Sequence, residues 1–81
     1  MKVYKFKLAG GWDLETGEAN YFYYWFVEAE NGRTARKAVL LQPSINKSNI
    51  VYNRQVRTVP DGYYLMRAKD MIKRCSPLKG R

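Results

Sequence analysis

The chain contains no histidine and a single cysteine, Cys75, among its 81 residues. Without histidine, the commonest general base near neutral pH and the commonest zinc ligand are both missing. One cysteine builds neither an internal disulfide nor a thiolate metal site, and it fits a reducing compartment. A thiol packed on a helix face is the expectation for it. Acids are few, seven Asp and Glu in all, and none cluster with calcium-loop spacing. Gly10-Gly11 is not a dinucleotide fingerprint, and no phosphate-loop motif with its lysine occurs. Asp13, Glu15 and Glu18 fall in a connecting segment, a weak setting for paired acid–base chemistry. No apolar run approaches the roughly 20 residues needed to span a bilayer. The first residues alternate charge and apolar side chains, a strand pattern and not a signal peptide. Together these gaps argue for a cytoplasmic, non-enzymatic protein with no cofactor, no metal and no membrane partner.

Aromatic and basic residues are what the chain has in plenty. Six aromatics stand in an unbroken row, Tyr21-Phe22-Tyr23-Tyr24-Trp25-Phe26. A strand points successive side chains to opposite faces, so such a row makes both faces of one strand aromatic. One face can fill a core, and the other needs a second cover. The net charge of +8 is unevenly spread. Residues 1–8 carry three lysines, and residues 9–32 carry only five acids. Residues 33–81 hold twelve Lys or Arg against Asp61 and Asp70. A basic half with so few acids points to a polyanion, held through phosphate contacts and counterion release. The plainer reading of the same charge is solubility.

Val3 to Leu8 reads as a first strand, with Tyr4, Phe6 and Leu8 on one face and Val3, Lys5 and Lys7 on the other. Ala9-Gly10-Gly11 is expected to end it. A polar acidic connection follows, with a turn at Thr16-Gly17. A second strand spans Tyr21 to Glu30. Asn31 to Thr34 reads as a loop and N-cap region, and Thr34 to Gln42 as a helix stopped by Pro43. Ile50 to Val59, rich in β-branched residues, reads as a third strand. Pro60-Asp61-Gly62 is a turn. Beyond it two readings stay open: a hairpin return over 63–66 with a short helix from Ala68 to Cys75, or one helix from Tyr63 to Cys75. The hairpin is preferred.

These elements predict an α+β fold. It is a single domain over 1–75 with a mostly antiparallel sheet of three or four strands. One helix packs on one face, and a short C-terminal helix and a basic flexible tail at 76–81 follow. The β-β-α opening resembles in topology several small ribosomal and phage-encoded proteins, over less than half the chain and without a fixed motif.

Trp25, Val27 and Ala29 share one face of the second strand, with Tyr23 extending it, so a helix presenting Ala35, Ala38, Val39 and Leu41 packs there. Phe22, Tyr24, Phe26 and Glu28 then occupy the opposite face, level with Lys5 and Lys7. An aromatic row flanked by lysines suits RNA or single-stranded DNA, since bases stack on rings while cations track phosphates. The competing use of that face is a three-layer core beneath the C-terminal helix.

Arg33, Arg36 and Lys37 cluster at the positive end of the first helix, where the dipole disfavours cations. They are candidate phosphate contacts. Arg54 and Arg57 sit on opposite faces of the third strand, and Lys73 and Arg74 extend the basic end of the chain.

Two function classes follow from these residues. One is a non-catalytic nucleic-acid-binding module. The other is a small phage- or mobile-element-encoded inhibitor or adaptor whose aromatic strand binds a host protein or nucleoprotein complex. The acidic stretch 13–30 favours the second. Edge-to-edge pairing of the second strand would give a homodimer.

Overall fold

Apolar and charged residues alternate from Lys2 onward, and the strand they form, β1 (Lys2–Trp12), is one of the two inner strands of the sheet. In this computed structural model residues 1–75 are described, without the side chain of Cys75. The tail expected at 76–81 and the thiol expected on a helix face lie outside the described residues. β2 (Ala19–Ala29) returns antiparallel to β1, in a register that sets Tyr4 against Val27, Phe6 against Trp25 and Leu8 against Tyr23. Lys5 therefore lies opposite Phe26 and Lys7 opposite Tyr24, as the alternation predicts.

The two glycines do not end β1. Pairing continues through Gly10 opposite Tyr21 to Trp12 opposite Ala19. The Tyr21 side chain lies over both glycines: a Cβ on Gly10 would fall 2.8 Å from its ring and one on Gly11 2.7 Å. Gly11 also holds φ +64°, a conformation that disfavours other residues. The pair is thus the floor on which an aromatic ring sits, and the strand runs on beneath it.

Helix α1 spans Gly32–Leu40, starting and ending two residues earlier than the sequence pattern predicts. Asn31 is its N-cap, and the side-chain oxygen accepts the Thr34 backbone N–H at 2.8 Å. Ala35, Ala38 and Val39 are buried against the sheet. A single turn of 3₁₀ helix at Lys47–Asn49, capped by Asn46, leads into β3 (Ile50–Val56), antiparallel to β1 on its other side. β3 stops three residues short of the expected end, so Arg57 lies in the following connection and not on a strand face.

The Pro60-Asp61-Gly62 turn forms, with the Tyr63 N–H donating to the Pro60 carbonyl at 3.3 Å, but it does not make a hairpin. The chain crosses the sheet instead. The three-residue strand β4 (Leu65–Arg67) pairs parallel to β2 at the far edge, giving the order β3-β1-β2-β4. Helix α2 (Ala68–Cys75) follows at once, with the bounds expected for the short C-terminal helix. The fold is α+β, and its four-stranded sheet is mixed by that one parallel pair.

Both helices lie on the same side of the sheet. Ala68 and Met71 join Tyr4, Phe6, Leu8, Val27, Ala29, Ala35, Ala38, Val39 and Ile45 in one buried cluster, with Trp25, Met66 and Ile72 packed at its margin. A three-layer core with α2 over the second face is therefore not what forms. That position of α2 leaves the other face of the sheet without a helix.

Candidate nucleic-acid interface

The face opposite the helices takes its side chains from the alternate positions of three strands. Val3, Lys5 and Lys7 come from β1, and Phe22, Tyr24, Phe26 and Glu28 from β2. Register with β1 adds Tyr52 and Arg54 from β3, since Tyr52 pairs with Lys7 and Arg54 with Lys5. Pairing of β4 with Phe26 and Glu28 adds Leu65 and Arg67. Rings and cations consequently interleave across the sheet.

Each lysine leans past the residue directly opposite and reaches the next ring along β2. Lys5 Nζ lies 4.7 Å from the Tyr24 centroid, and Lys7 Nζ lies 4.5 Å from that of Phe22. Lys7 Nζ is also 5.9 Å from the Tyr52 centroid, and the Arg54 guanidinium carbon is 5.5 Å from the same ring. Contacts of this kind contribute about 0.5–1 kcal/mol each at exposed sites. They fix where the cations rest without neutralising them.

The face is electrically one-sided. Lys5, Lys7, Arg54 and Arg67 stand against Glu28 alone, and Glu28 is engaged by Arg67 Nε at 3.7 Å, the one ion pair among the described residues. The other acids of the stretch 13–30 stand elsewhere. Asp13, Glu15 and Glu18 are at the tip of the β1–β2 hairpin, with Asp13 tied into the turn by the Gly17 and Glu15 N–H groups. Glu30 follows β2 at the opposite end of that strand. The hairpin acids thus stand beyond the Phe22 end of the face and Glu30 beyond its Glu28 end.

The aromatic row is open only in part. Phe22 is 52% exposed, while Phe26 is 2% exposed. Tyr63, at the end of the crossing connection, packs over this end of the row, its ring centroid 5.2 Å from Phe26 and 6.4 Å from Tyr24, both edge-on, and Leu65 stands beside Phe26 in the register. Phe26, expected in an exposed binding row, is instead sealed by this strap. Tyr24 is half-buried between Lys5 and Tyr63.

Of the residues singled out in the sequence, Lys5, Lys7, Phe22, Tyr24, Phe26 and Arg54 come together on this face. Arg33, Arg36 and Lys37 lie on α1, on the other side of the sheet. Arg36 reaches down to Asn53 Oδ1 of β3 at 3.4 Å, while Arg33 and Lys37 are exposed beside Leu40 and Leu41. Lys73 and Arg74 are exposed on α2, also on the helix side, and Arg57 is exposed beyond β3. No single surface collects all the candidate cations.

Tyr52, Tyr63, Leu65 and Arg67 are the face residues that sequence reasoning passed over. Tyr52 was findable, since it stands two positions before Arg54 and the period of a strand puts both on one face. Tyr63, Leu65 and Arg67 depend on a crossover that no local pattern signals. The Tyr23 phenol, on the helix side, is pushed above its ordinary value by burial and secondarily by Tyr21 beside it. Compared with protein-family models, curated proteins and solved structures, the chain matches none of them.

Proposed function

We propose that this protein is a non-catalytic module that binds single-stranded nucleic acid on the sheet face opposite its helices. The observation that carries the reading is the composition of that face. Three cations free of ion pairs, Lys5, Lys7 and Arg54, interleave with Phe22, Tyr24 and Tyr52, and both helices pack elsewhere. Rings offer π-faces to bases, each stacked base contributing about 1–3 kcal/mol, and cations meet the phosphates. A duplex keeps its base faces stacked on one another, so a face built of rings favours an unpaired strand. The lysines that rest on the rings in the free protein are drawn to phosphate on binding, and their departure uncovers the ring faces. A non-catalytic role in the cytoplasm accords with the missing histidine and the lone cysteine.

The test is a titration of mixed-sequence RNA and single-stranded DNA at two salt concentrations. Phosphate-dominated binding weakens steeply as salt rises, with a slope of about 0.7 per phosphate contacted. Affinity for neither strand at low salt rejects the reading.

A second reading has its own observation. Tyr64 and Leu65, beside the strap, are 87% and 42% exposed, and with Tyr63 they make an aromatic-apolar patch suited to a host protein. Binding of that kind responds little to salt and fails with Tyr64→Ala, not with the loss of Lys5 and Lys7.

A further inference from the structure

The nucleic-acid face is not uniform along the strands, and the difference limits what it can hold. Toward β4 the strap closes it: Tyr63 covers Phe26 and half of Tyr24. Toward the hairpin it is open at Phe22, which is 52% exposed; Tyr52, half-buried on β3, stands opposite Lys7, and Lys7 stands opposite Tyr24, the ring two residues along β2 from Phe22. Lys7 Nζ reaches the rings of Phe22 and Tyr52, at 4.5 Å and 5.9 Å from their centroids, so these two rings are no more than about 10 Å apart. A second cation, Arg54, stands two residues along β3 from Tyr52, opposite Lys5, 5.5 Å from the Tyr52 ring.

From this arrangement, which rests on the function proposed above, we infer that the site takes one dinucleotide step of an unpaired strand. One base stacks on Phe22 and the next on Tyr52. The phosphate joining them meets Lys7, and the phosphate beyond the second base meets Arg54. Two successive unstacked bases with their shared phosphate bridge such a span, and each ring supplies a face that every base can use. Recognition is accordingly tolerant of base identity and selective for strand flexibility. Phe26, buried beneath Tyr63, holds no base, and Tyr24, edge-on to Tyr63 with Lys5 over its ring, lies beside the step and is not needed for it.

The inference is tested by fluorescence anisotropy with labelled oligoribonucleotides and oligodeoxynucleotides, from a single nucleotide through a dinucleotide to a dodecamer, alongside the same dodecamer in a duplex. Affinity should rise most sharply between the mononucleotide and the dinucleotide, and the duplex should bind more weakly than the single strand. Phe22→Ala and Tyr52→Ala should each weaken dodecamer binding about fivefold to a hundredfold, the effect of losing one stacked base. Lys7→Gln should lower the salt slope by about 0.7. Phe22→Leu and Tyr52→Leu keep an apolar side chain on the strand and remove the ring, so they carry the test should the alanine variants not fold. If the parent binds the dodecamer but the ring variants bind equally well, the dinucleotide site is overturned while nucleic-acid binding stands. If the folded parent binds no oligonucleotide at low salt, the functional reading itself fails. RNA and DNA binding alike supports the stacking site, whereas a strong preference for RNA that survives loss of both rings overturns it.

Discussion

On the helix side of the sheet, Phe6, Leu8 and Val27 meet Ala35, Ala38 and Val39 with no accessible surface left. On the other side the same two strands present Lys5, Lys7, Phe22 and Tyr24, with cations resting over rings. β2 is aromatic on both faces, so composition does not distinguish them. What distinguishes them is the neighbour. Alanines at positions 29, 35 and 38 let α1 close against one face, and a close-packed interior follows. Lysines on β1 keep the other face charged, so no apolar helix can settle there without burying ammonium groups. The strap is an intermediate case, because Tyr63 and Leu65 beside Phe26 go with its burial on the charged side.

The largest expected effect lies on the helix side. Phe6→Ala should cost about 3–5 kcal/mol, as truncation of a sealed aromatic does. A domain of ordinary stability has only about 5–15 kcal/mol in total, so the variant should lose a large share of it and its urea midpoint should fall steeply. Trp25→Ala should cost less, because Trp25 is only partly buried at the margin of the cluster. A Trp25→Ala loss as large as that of Phe6→Ala would move the centre of the core toward β4 and α2.

Phe26 is where the comparison is easiest to break. By strand alternation it belongs to the charged face, and by exposure it belongs to a core. Phe26→Ala should therefore destabilise by about 3 kcal/mol, the low end for a buried aromatic. Tyr63→Ala should cost about 1 kcal/mol, the scale of an edge-on ring pair, and should leave oligonucleotide binding intact. A Phe26→Ala variant as stable as the parent would show that the strap rests on the face without closing it.

The charged rings should respond in the opposite sense. Replacing Lys5 and Lys7 with glutamine should change the melting temperature little, since contacts of cations with exposed rings contribute about 0.5–1 kcal/mol each. The same double variant should lower the salt slope of RNA affinity by at least about 0.7, the Lys7 contact, and by about 1.4 where Lys5 meets a neighbouring phosphate as well. A marked loss of stability with an unchanged slope would make these lysines structural pillars of the sheet.

Much of this contrast was legible in the sequence, and the part that was not has a physical reason. The facing of β2 follows from strict alternation between Tyr21 and Ala29, and the level of Lys5 and Lys7 from a simple antiparallel return. An N-cap region within Asn31 to Thr34 and a helix over Ala68–Cys75 are local signals, and both formed, with the cap at Asn31 and the first helix two residues earlier than the pattern predicts. The hairpin expected after Gly62 did not. Its turn chemistry is local and is present, but the partner of β4 is chosen at long range. Beside β2, Met66 reaches the core, Arg67 reaches Glu28 and α2 arrives next to α1. Beside β3 none of the three would follow. Gly10-Gly11 misled for a similar reason, since the ring that occupies the space above them comes from Tyr21, ten residues on. The strand-paired dimer is limited too, because β4 occupies the edge of β2 along Phe26–Glu28.

The smallest expected effect sharpens the boundary between the two faces through Tyr23. Its phenol, beside Trp25 on the helix side, is raised above the ordinary value of 10.0, first by burial and then by Tyr21. Burial disfavours the phenolate. Below the ordinary value the phenol is neutral in folded and unfolded chains alike, and the residue contributes its full packing. As the pH rises past that value the unfolded chain ionises freely while the folded chain resists. Stability is therefore lost progressively as the pH climbs through the folded-state value. Tyr23→Phe cannot ionise, so it should lose less stability than the parent between neutral and strongly alkaline solution, compared by urea midpoints. Lysine deprotonation acts on both proteins equally and drops out of the difference. Equal alkaline losses in parent and variant would mean that Tyr23 meets water as freely as the rings of the charged face, and that the closed side of the sheet ends at Trp25.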